Sequence, residues 1–264
     1  IAEKDPSLLP WQQHKVDVVL ECTGRFVKDD AALAHIKAGA KRVVISAPTK
    51  GGKTKTYLLG VNHKSYRKDK LVSNASCTTN CVGPVTAVIA KNFGIKKAAL
   101  TTVHSYTVEQ NLVDGPPPAL HRDLRRARAA AVNIVPTTTG AASATAEVIK
   151  GIGGKFDGMA LRVPTPCGSI SDFTFLTKKK VTVEQVNRAL TKAAQSKEMK
   201  GILEVTSEPI VSSDIIGNPH SAIVDLALTS VIDGDLLKVI AWYDNEWGYS
   251  NRLVEMAVLV GKSI

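Results

Sequence analysis

Short apolar runs alternate with amphipathic stretches along the first third of the chain. Val16-Asp17-Val18-Val19-Leu20 suits a strand buried in a parallel sheet, and Glu21-Cys22-Thr23-Gly24 closes it with a turn. Residues 29–37 put Ala31, Leu33, Ala34 and Ile36 in a helical pattern, with Asp29 and Asp30 at the amino end and Gly39 just past the carboxyl end. Val43-Val44-Ile45, Tyr57-Leu58-Leu59 and Leu71-Val72 predict further short strands, with a loop from Ala47-Pro48 to Lys53. Strand, helix, strand implies an α/β parallel sheet.

From Cys77 onward, Val82, Val85, Val88 and Ile89 share one helical face and Gly94 supplies a stop, so Cys77 falls in the first turn of a helix. Pro84 fits that helix badly and predicts a kink. A strand is expected over 98–104. The irregular stretch 105–136 then carries Gly115-Pro116-Pro117-Pro118 and a basic run with Arg122, Arg125, Arg126 and Arg128, and loops of such length usually serve function. A helix over 140–149, strands near 159–163 and 170–176, a helix over 183–194, strands near 222–226 and 239–242 and a helix over 246–260 complete a less regular second half. No repeat, low-complexity tract or Gly/Ser linker separates the halves, so any two domains join directly.

With 264 residues, 44% of them hydrophobic and 22% charged, the chain can bury a substantial core, which excludes disorder. No apolar run approaches the roughly 20 residues of a membrane span, and the opening IAEKDPSLLP lacks the pattern of an export signal. Cys22, Cys77, Cys81 and Cys167 show no dense spacing, which fits a reduced compartment; the cytoplasm is the expected location, with a plastid also compatible. Thirty-four basic against 24 acidic residues give +10, a bias suited to nucleic acid, membrane surfaces or small anions. The basic run lacks aromatic interleaving and a nucleic-acid motif, so phosphate binding and subunit contact explain it more simply. Lys178-Lys179-Lys180 reads as a solvated strand end or turn, Cys22 and Cys167 as buried or incidental, and Cys81, four residues after Cys77 where a bridge within one helix turn has poor geometry, as structural or secondary redox.

Ser76-Cys77-Thr78-Thr79-Asn80 is the sharpest chemical signal. A cysteine in the first turn of a helix faces open N–H groups and the positive dipole end, which favour thiolate over thiol. A buried inert thiol is the alternative, and the polar frame of Ser76, Thr78, Thr79 and Asn80 argues against it. His104 ends a strand, where it could meet Cys77 across a crevice as an imidazolium beside a thiolate. A satisfied core histidine is the competing reading.

Five motifs in sequence bear a closer resemblance. Ser73-Asn74-Ala75-Ser76-Cys77-Thr78-Thr79-Asn80-Cys81, Thr102-Val103-His104-Ser105-Tyr106-Thr107, Pro136-Thr137-Thr138-Thr139-Gly140-Ala141-Ala142, Arg162-Val163-Pro164-Thr165-Pro166 and Trp242-Tyr243-Asp244-Asn245-Glu246-Trp247-Gly248-Tyr249-Ser250 resemble the phosphorylating glyceraldehyde-3-phosphate dehydrogenase family. The likeness runs from about Asp5 to the carboxyl end.

The resemblance implies an α/β chain: a partial Rossmann-type dinucleotide-binding domain over 1–76, an α+β catalytic domain over 77–244, and a helix over 245–264 that returns to the nucleotide domain. It implies an oxidoreductase in which Cys77 attacks the aldehyde, hydride leaves to NAD or NADP, and inorganic phosphate cleaves the thioester. His104 would be the base and the Cys77 N–H an oxyanion donor. Ser76, Thr78, Thr107, Thr139, Gly140, Arg162 and a loop arginine would bind phosphate; Arg126 is favoured, with Arg122, Arg125 and Arg128 as competitors. Asn245 would hold the nicotinamide carboxamide with Tyr249 nearby, and Ser46 would line the cofactor cleft. No metal is expected. A homotetramer is, with the long loop near an interface.

The glycine-rich turn that receives the cofactor pyrophosphate is absent: neither Gly51-Gly52-Lys53 nor Gly151-Ile152-Gly153-Gly154 has the required strand and helix context. The chain therefore reads as an amino-terminally truncated form lacking roughly 60 to 80 residues, the size of one nucleotide-binding half. Weak dinucleotide binding and little activity are expected of these residues alone. Alternative readings are an erythrose-4-phosphate dehydrogenase of the same fold, a cysteine hydrolase or acyltransferase, and a noncatalytic RNA-binding protein.

Overall fold

A computed structural model describes residues 1–116 and 123–264. Pro117, Pro118 and Arg122 of the long loop lie outside the described residues. The chain divides into two compact units, Ile1–Ser76 with Ser250–Ile264, and Cys77–Tyr249.

In the first unit β1 (Val18–Glu21), β2 (Arg42–Ile45), β3 (Lys55–Thr56) and β4 (Leu71–Ser73) form an all-parallel sheet in the order β1-β2-β4-β3. The central strand β2 buries Val43, Val44 and Ile45 in succession, as a strand covered on both faces requires. Val19, Ala32, Ala40, Val43, Ile45 and Leu71 make the core, with Trp11, Phe26 and Ile36 packed against it. The end of the final helix belongs to this unit, where the Ser263 hydroxyl lies 3.1 Å from that of Tyr66.

Two elements differ from expectation. The helix predicted over 29–37 is only α1 (Leu33–Lys37), because Asp29 and Asp30 take the left-handed conformation, with φ of 50° and 59°. The Asp30 carboxylate instead accepts hydrogen bonds from the Lys53 amide (2.8 Å), the Thr54 amide (2.9 Å) and the Thr54 hydroxyl (2.6 Å). Aspartate thus caps a distant loop in preference to starting a helix. Tyr57-Leu58-Leu59 follows the two-residue β3 without extending it. The Asn62 side chain accepts from the Leu58 amide at 2.7 Å, and the Leu58 carbonyl accepts from the amides of Val61, Asn62 and His63, so the backbone turns away.

The second unit is built on a mixed sheet of β5 (Ile95–Ser105), β6 (Val135–Thr138), β7 (Phe156–Val163), β8 (Ser169–Thr177), β9 (Leu203–Thr206), β10 (Ala222–Ile232) and β11 (Leu236–Tyr243), ordered β6-β7-β5-β8-β11-β10-β9. The short strand β9, parallel to β10, has no counterpart in the sequence reading. Along β8 and β11 every second residue is buried, and Phe173 stacks on Phe175 with centroids 5.6 Å apart. Helices α2 (Cys77–Phe93), α3 (Ala141–Val148) and α4 (Val183–Ala194) pack against the sheet, and α5 (Trp247–Gly261) follows β11. α2 continues past Pro84 and ends at Gly94, whose φ of +67° suits a residue without a side chain. Among the described residues no helix is long and apolar enough to cross a membrane.

Phe173 is fully buried. Phe173→Ala is expected to cost about 3–5 kcal/mol of stability, measured by chemical denaturation.

Candidate active site

β5 and β7 are parallel neighbours, and their register sets His104 opposite Arg162 near the carboxyl ends of both strands. α2 begins at Cys77, and its Sγ lies 3.4 Å from His104 Nε2. The His104 ring is held from the other side: Nδ1 donates to the Ser105 carbonyl at 2.7 Å. A carbonyl can only accept, so the proton of the neutral ring is on Nδ1 and the Nε2 lone pair faces the thiol. Below the pair, the Tyr243 hydroxyl lies 2.9 Å from the Thr78 hydroxyl and 2.8 Å from that of Thr102, and the Tyr243 ring meets His104 edge-on.

The charge state differs from the sequence expectation of an imidazolium beside a thiolate. Burial, and then the Arg162 guanidinium, push His104 down to about 3. Burial also pushes the Cys77 thiol up, outweighing Arg162 and the Thr78 hydrogen bonds that pull it down. Desolvation opposes the helix terminus here, and both shifts favour the neutral thiol and the neutral imidazole.

Beside the pair lies a cluster of opposite character. Arg162 Nη1 donates to the Ser105 carbonyl (3.0 Å) and to the Thr107 hydroxyl (2.8 Å). Arg126 is buried; its Nε donates to the Thr137 hydroxyl (2.8 Å) and its Nη1 to a Glu109 carboxylate oxygen (2.9 Å). Burial raises the Glu109 pKa, but the Thr107 hydroxyl, Arg162 and Arg126 together hold it below its ordinary value. Of the competing arginines, Arg125 and Arg128 are exposed and paired with Asp123 and Asp114, and Arg122 lies outside the described residues.

A cysteine thiol, a histidine with one ring nitrogen fixed, the buried Arg126 and the half-buried Arg162 are therefore combined in one unit. The family model for the glyceraldehyde 3-phosphate dehydrogenase C-terminal domain matches residues 76–245. Proteins named glyceraldehyde-3-phosphate dehydrogenase from Zymomonas mobilis and Mycobacterium avium are 49% and 54% identical over 264 and 260 residues. Glyceraldehyde-3-phosphate dehydrogenase 2 from Synechocystis is 52% identical over 265. These alignments span 100%, 98% and 100% of the chain, and 77%, 75% and 77% of the respective relatives. This chain belongs to the glyceraldehyde 3-phosphate dehydrogenase family.

Within the family frame, the structure brings Cys77, His104, Thr78, Thr107, Arg126 and Arg162 into one connected network. Thr139 and Gly140 stand at the start of α3, one and two residues past the Thr138 carbonyl that accepts from Arg126 Nη2 at 3.4 Å, and the Thr139 hydroxyl accepts from the Ala141 amide at 3.2 Å. Ser76 is half-buried immediately before α2. Ser46 follows β2 in the first unit, with its amide bonded to the Glu21 carbonyl. Asn245 is buried; its Oδ1 accepts from the Gly168 amide and the Ser169 hydroxyl, and its Nδ2 donates to Glu246. Tyr249 is half-buried in the first turn of α5.

Glu109, Thr137 and Tyr243 escaped the sequence reading. Thr137 and Tyr243 stood inside quoted motifs, and Glu109 is two residues after Thr107, so position within a motif was the available signal. Cys81 is fully buried, and burial raises its pKa. Cys22, read as buried or incidental, is exposed. Cys167 donates to the Asp244 carboxylate at 3.2 Å.

An unfolded chain takes up a proton on His104 near 6.5, the folded one only near about 3. Stability from this group is complete above 6.5 and declines as pH falls toward 3. His104→Asn is expected to flatten that part of the stability-against-pH curve, followed by denaturant unfolding at each pH.

Proposed function

We propose that Cys77 and His104 carry out the chemistry, with Arg126 and Arg162 as anion-binding groups, in a phosphorylating glyceraldehyde-3-phosphate dehydrogenase. The enzyme oxidises and phosphorylates glyceraldehyde 3-phosphate to 1,3-bisphosphoglycerate, with NAD(P) as cofactor. The observation that carries the assignment is the 3.4 Å approach of Cys77 Sγ to an imidazole nitrogen whose partner nitrogen is held to a carbonyl.

As the sulfur adds to the aldehyde carbon, the thiol proton passes to Nε2, so no buried thiolate need exist beforehand. The proton then goes to the new oxyanion, giving a hemithioacetal, with the Cys77 amide as its donor. His104 removes that hydroxyl proton again as the thioester forms. Phosphate attacks the thioester carbon, the carbon–sulfur bond breaks, and the sulfur regains a proton. The nicotinamide, when bound, supplies the acceptor for the hydride. Thr78, Thr107, Arg126 and Arg162, with Ser76, Thr139 and Gly140, are assigned to the phosphate groups of the two anionic reactants.

The residues present fit the nicotinamide end of the cofactor. Asn245 Oδ1 is fixed by two donors, which orients the amide hydrogens of a buried side chain for a carboxamide oxygen. Tyr249 is assigned beside that cofactor. The four parallel strands of the first unit support reading 1–76, with 245–264, as part of the dinucleotide-binding domain and 77–244 as the catalytic domain. The erythrose-4-phosphate and RNA-binding readings are not favoured, since the relatives named above are all glyceraldehyde-3-phosphate dehydrogenases.

A homotetramer in the cytoplasm completes the proposal. It is supported by the exposed apolar side chains Val108, Leu112, Val113, Leu124, Val132 and Ile134 along the long loop, which further copies of the chain would cover. Sedimentation velocity is expected to give a tetramer, and a monomer at micromolar concentration would refute it. For the chemistry, incubation with an acyl phosphate is expected to add one acyl group at Cys77, seen by intact mass. Cys77→Ser abolishes the adduct and His104→Asn slows it by about 10²–10⁴-fold; an undiminished rate in either variant contradicts the roles given.

A further inference from the structure

Glu109 has no part in the reaction above, yet it stands between the two arginines of the site. One carboxylate oxygen is 2.9 Å from Arg126 Nη1 and 3.7 Å from Arg162 Nη2, and the other accepts from the Thr107 hydroxyl. The guanidinium side chains are only 7% and 12% exposed, so each is largely stripped of water. Two cations thus share the one carboxylate within direct reach, and the next anion, Asp123, meets Arg126 only through the Thr137 hydroxyl.

The donors are also incompletely used. Arg162 Nε and the Gln110 side-chain amide nitrogen are buried with no hydrogen-bond partner among the described residues. Gln110 accepts from the Thr107 amide through Oε1, which places it beside the same cluster. Leaving buried donors unbonded is costly, and a carboxylate has too few oxygens for the N–H groups converging here. A tetrahedral phosphate brings more charge and more acceptors. Glu109 can also leave: it is a quarter exposed, and its neighbour Val108 is fully so.

We propose that Glu109 is an internal place-holding anion, which balances Arg126 and Arg162 while the site is empty and is displaced into solvent by the phosphate group of an incoming reactant. The inference rests on the anion-binding role assigned to these arginines. Its function is selectivity: a ligand must outcompete a tethered carboxylate, which a dianionic phosphate does and a monoanion such as chloride or a free carboxylate does not. Thr107 is then shared, passing from the Glu109 carboxylate to the phosphate. A structural ion pair has the opposite consequence, because removing Glu109 would leave the arginines misplaced.

The test is calorimetric titration of the 264-residue chain with inorganic phosphate at fixed ionic strength, using wild type, Glu109→Gln, and Asp233→Asn as a control that removes one exposed charge. Glu109→Gln is expected to bind phosphate about three- to tenfold more tightly than wild type, the span of a partly exposed ion pair, and Asp233→Asn about equally to wild type. Equal or weaker binding by Glu109→Gln, or the same gain in Asp233→Asn, overturns the proposal while leaving the anion-binding role standing. Absence of phosphate binding in all three chains overturns both. A second measurement needs no variant: the carboxyl carbon resonance of Glu109 in the labelled wild-type protein is expected to shift saturably with the same phosphate affinity. A resonance that stays fixed through saturation shows the carboxylate remains in place and refutes displacement.

Discussion

The geometry around Cys77 depends on the hydrogen bond from His104 Nδ1 to the carbonyl of Ser105. It is a contact with the next residue's own backbone, so it is set by the conformation at the end of β5. Because the carbonyl cannot donate, one tautomer is selected and the other ring nitrogen is left as an acceptor toward Cys77. The same carbonyl also receives Arg162 Nη1. A single backbone oxygen therefore orients the base and anchors a guanidinium, and the parallel register of β5 with β7 brings both side chains to it.

Burial then determines what kind of pair this is. In water, cysteine and histidine side by side favour proton exchange; here neither charged form is well solvated, and Arg162 disfavours a second positive charge nearby. Both shifts therefore favour the uncharged forms, with the proton on sulfur. The two buried guanidinium groups make the opposite use of the same low dielectric, since their charge is strongest toward an anion that enters the site.

Much of this was legible before any coordinates. The helical face of Val82, Val85, Val88 and Ile89 placed Cys77 at a helix start, and the strand expected over 98–104 placed His104 at its end, within the observed 95–105. The motif order disclosed the family. Asp29 and Asp30 were misread because an acidic pair before an apolar run looks the same whether its carboxylates cap a helix or a loop two dozen residues away. The charge balance of the Cys77–His104 pair is hidden for a related reason: local sequence displays the helix terminus but not the packing that desolvates the two groups. That Arg126 is buried while Arg125 and Arg128 are exposed is likewise a tertiary fact, which rests on Thr137 and Glu109.

Tyr243 ties three elements together at one oxygen: the first turn of α2 through Thr78, the middle of β5 through Thr102, and its own strand β11. Its phenol therefore works as a length gauge. Deleting one residue between Thr78 and Phe93 would rotate the helix by about 100 degrees and carry the Thr78 hydroxyl out of reach. Extra residues beyond Tyr243's reach, at the Gly234 turn that joins β10 to β11, would leave that alignment intact. The chain thus tolerates a change of length at the strand turns but not along the helix that bears Cys77.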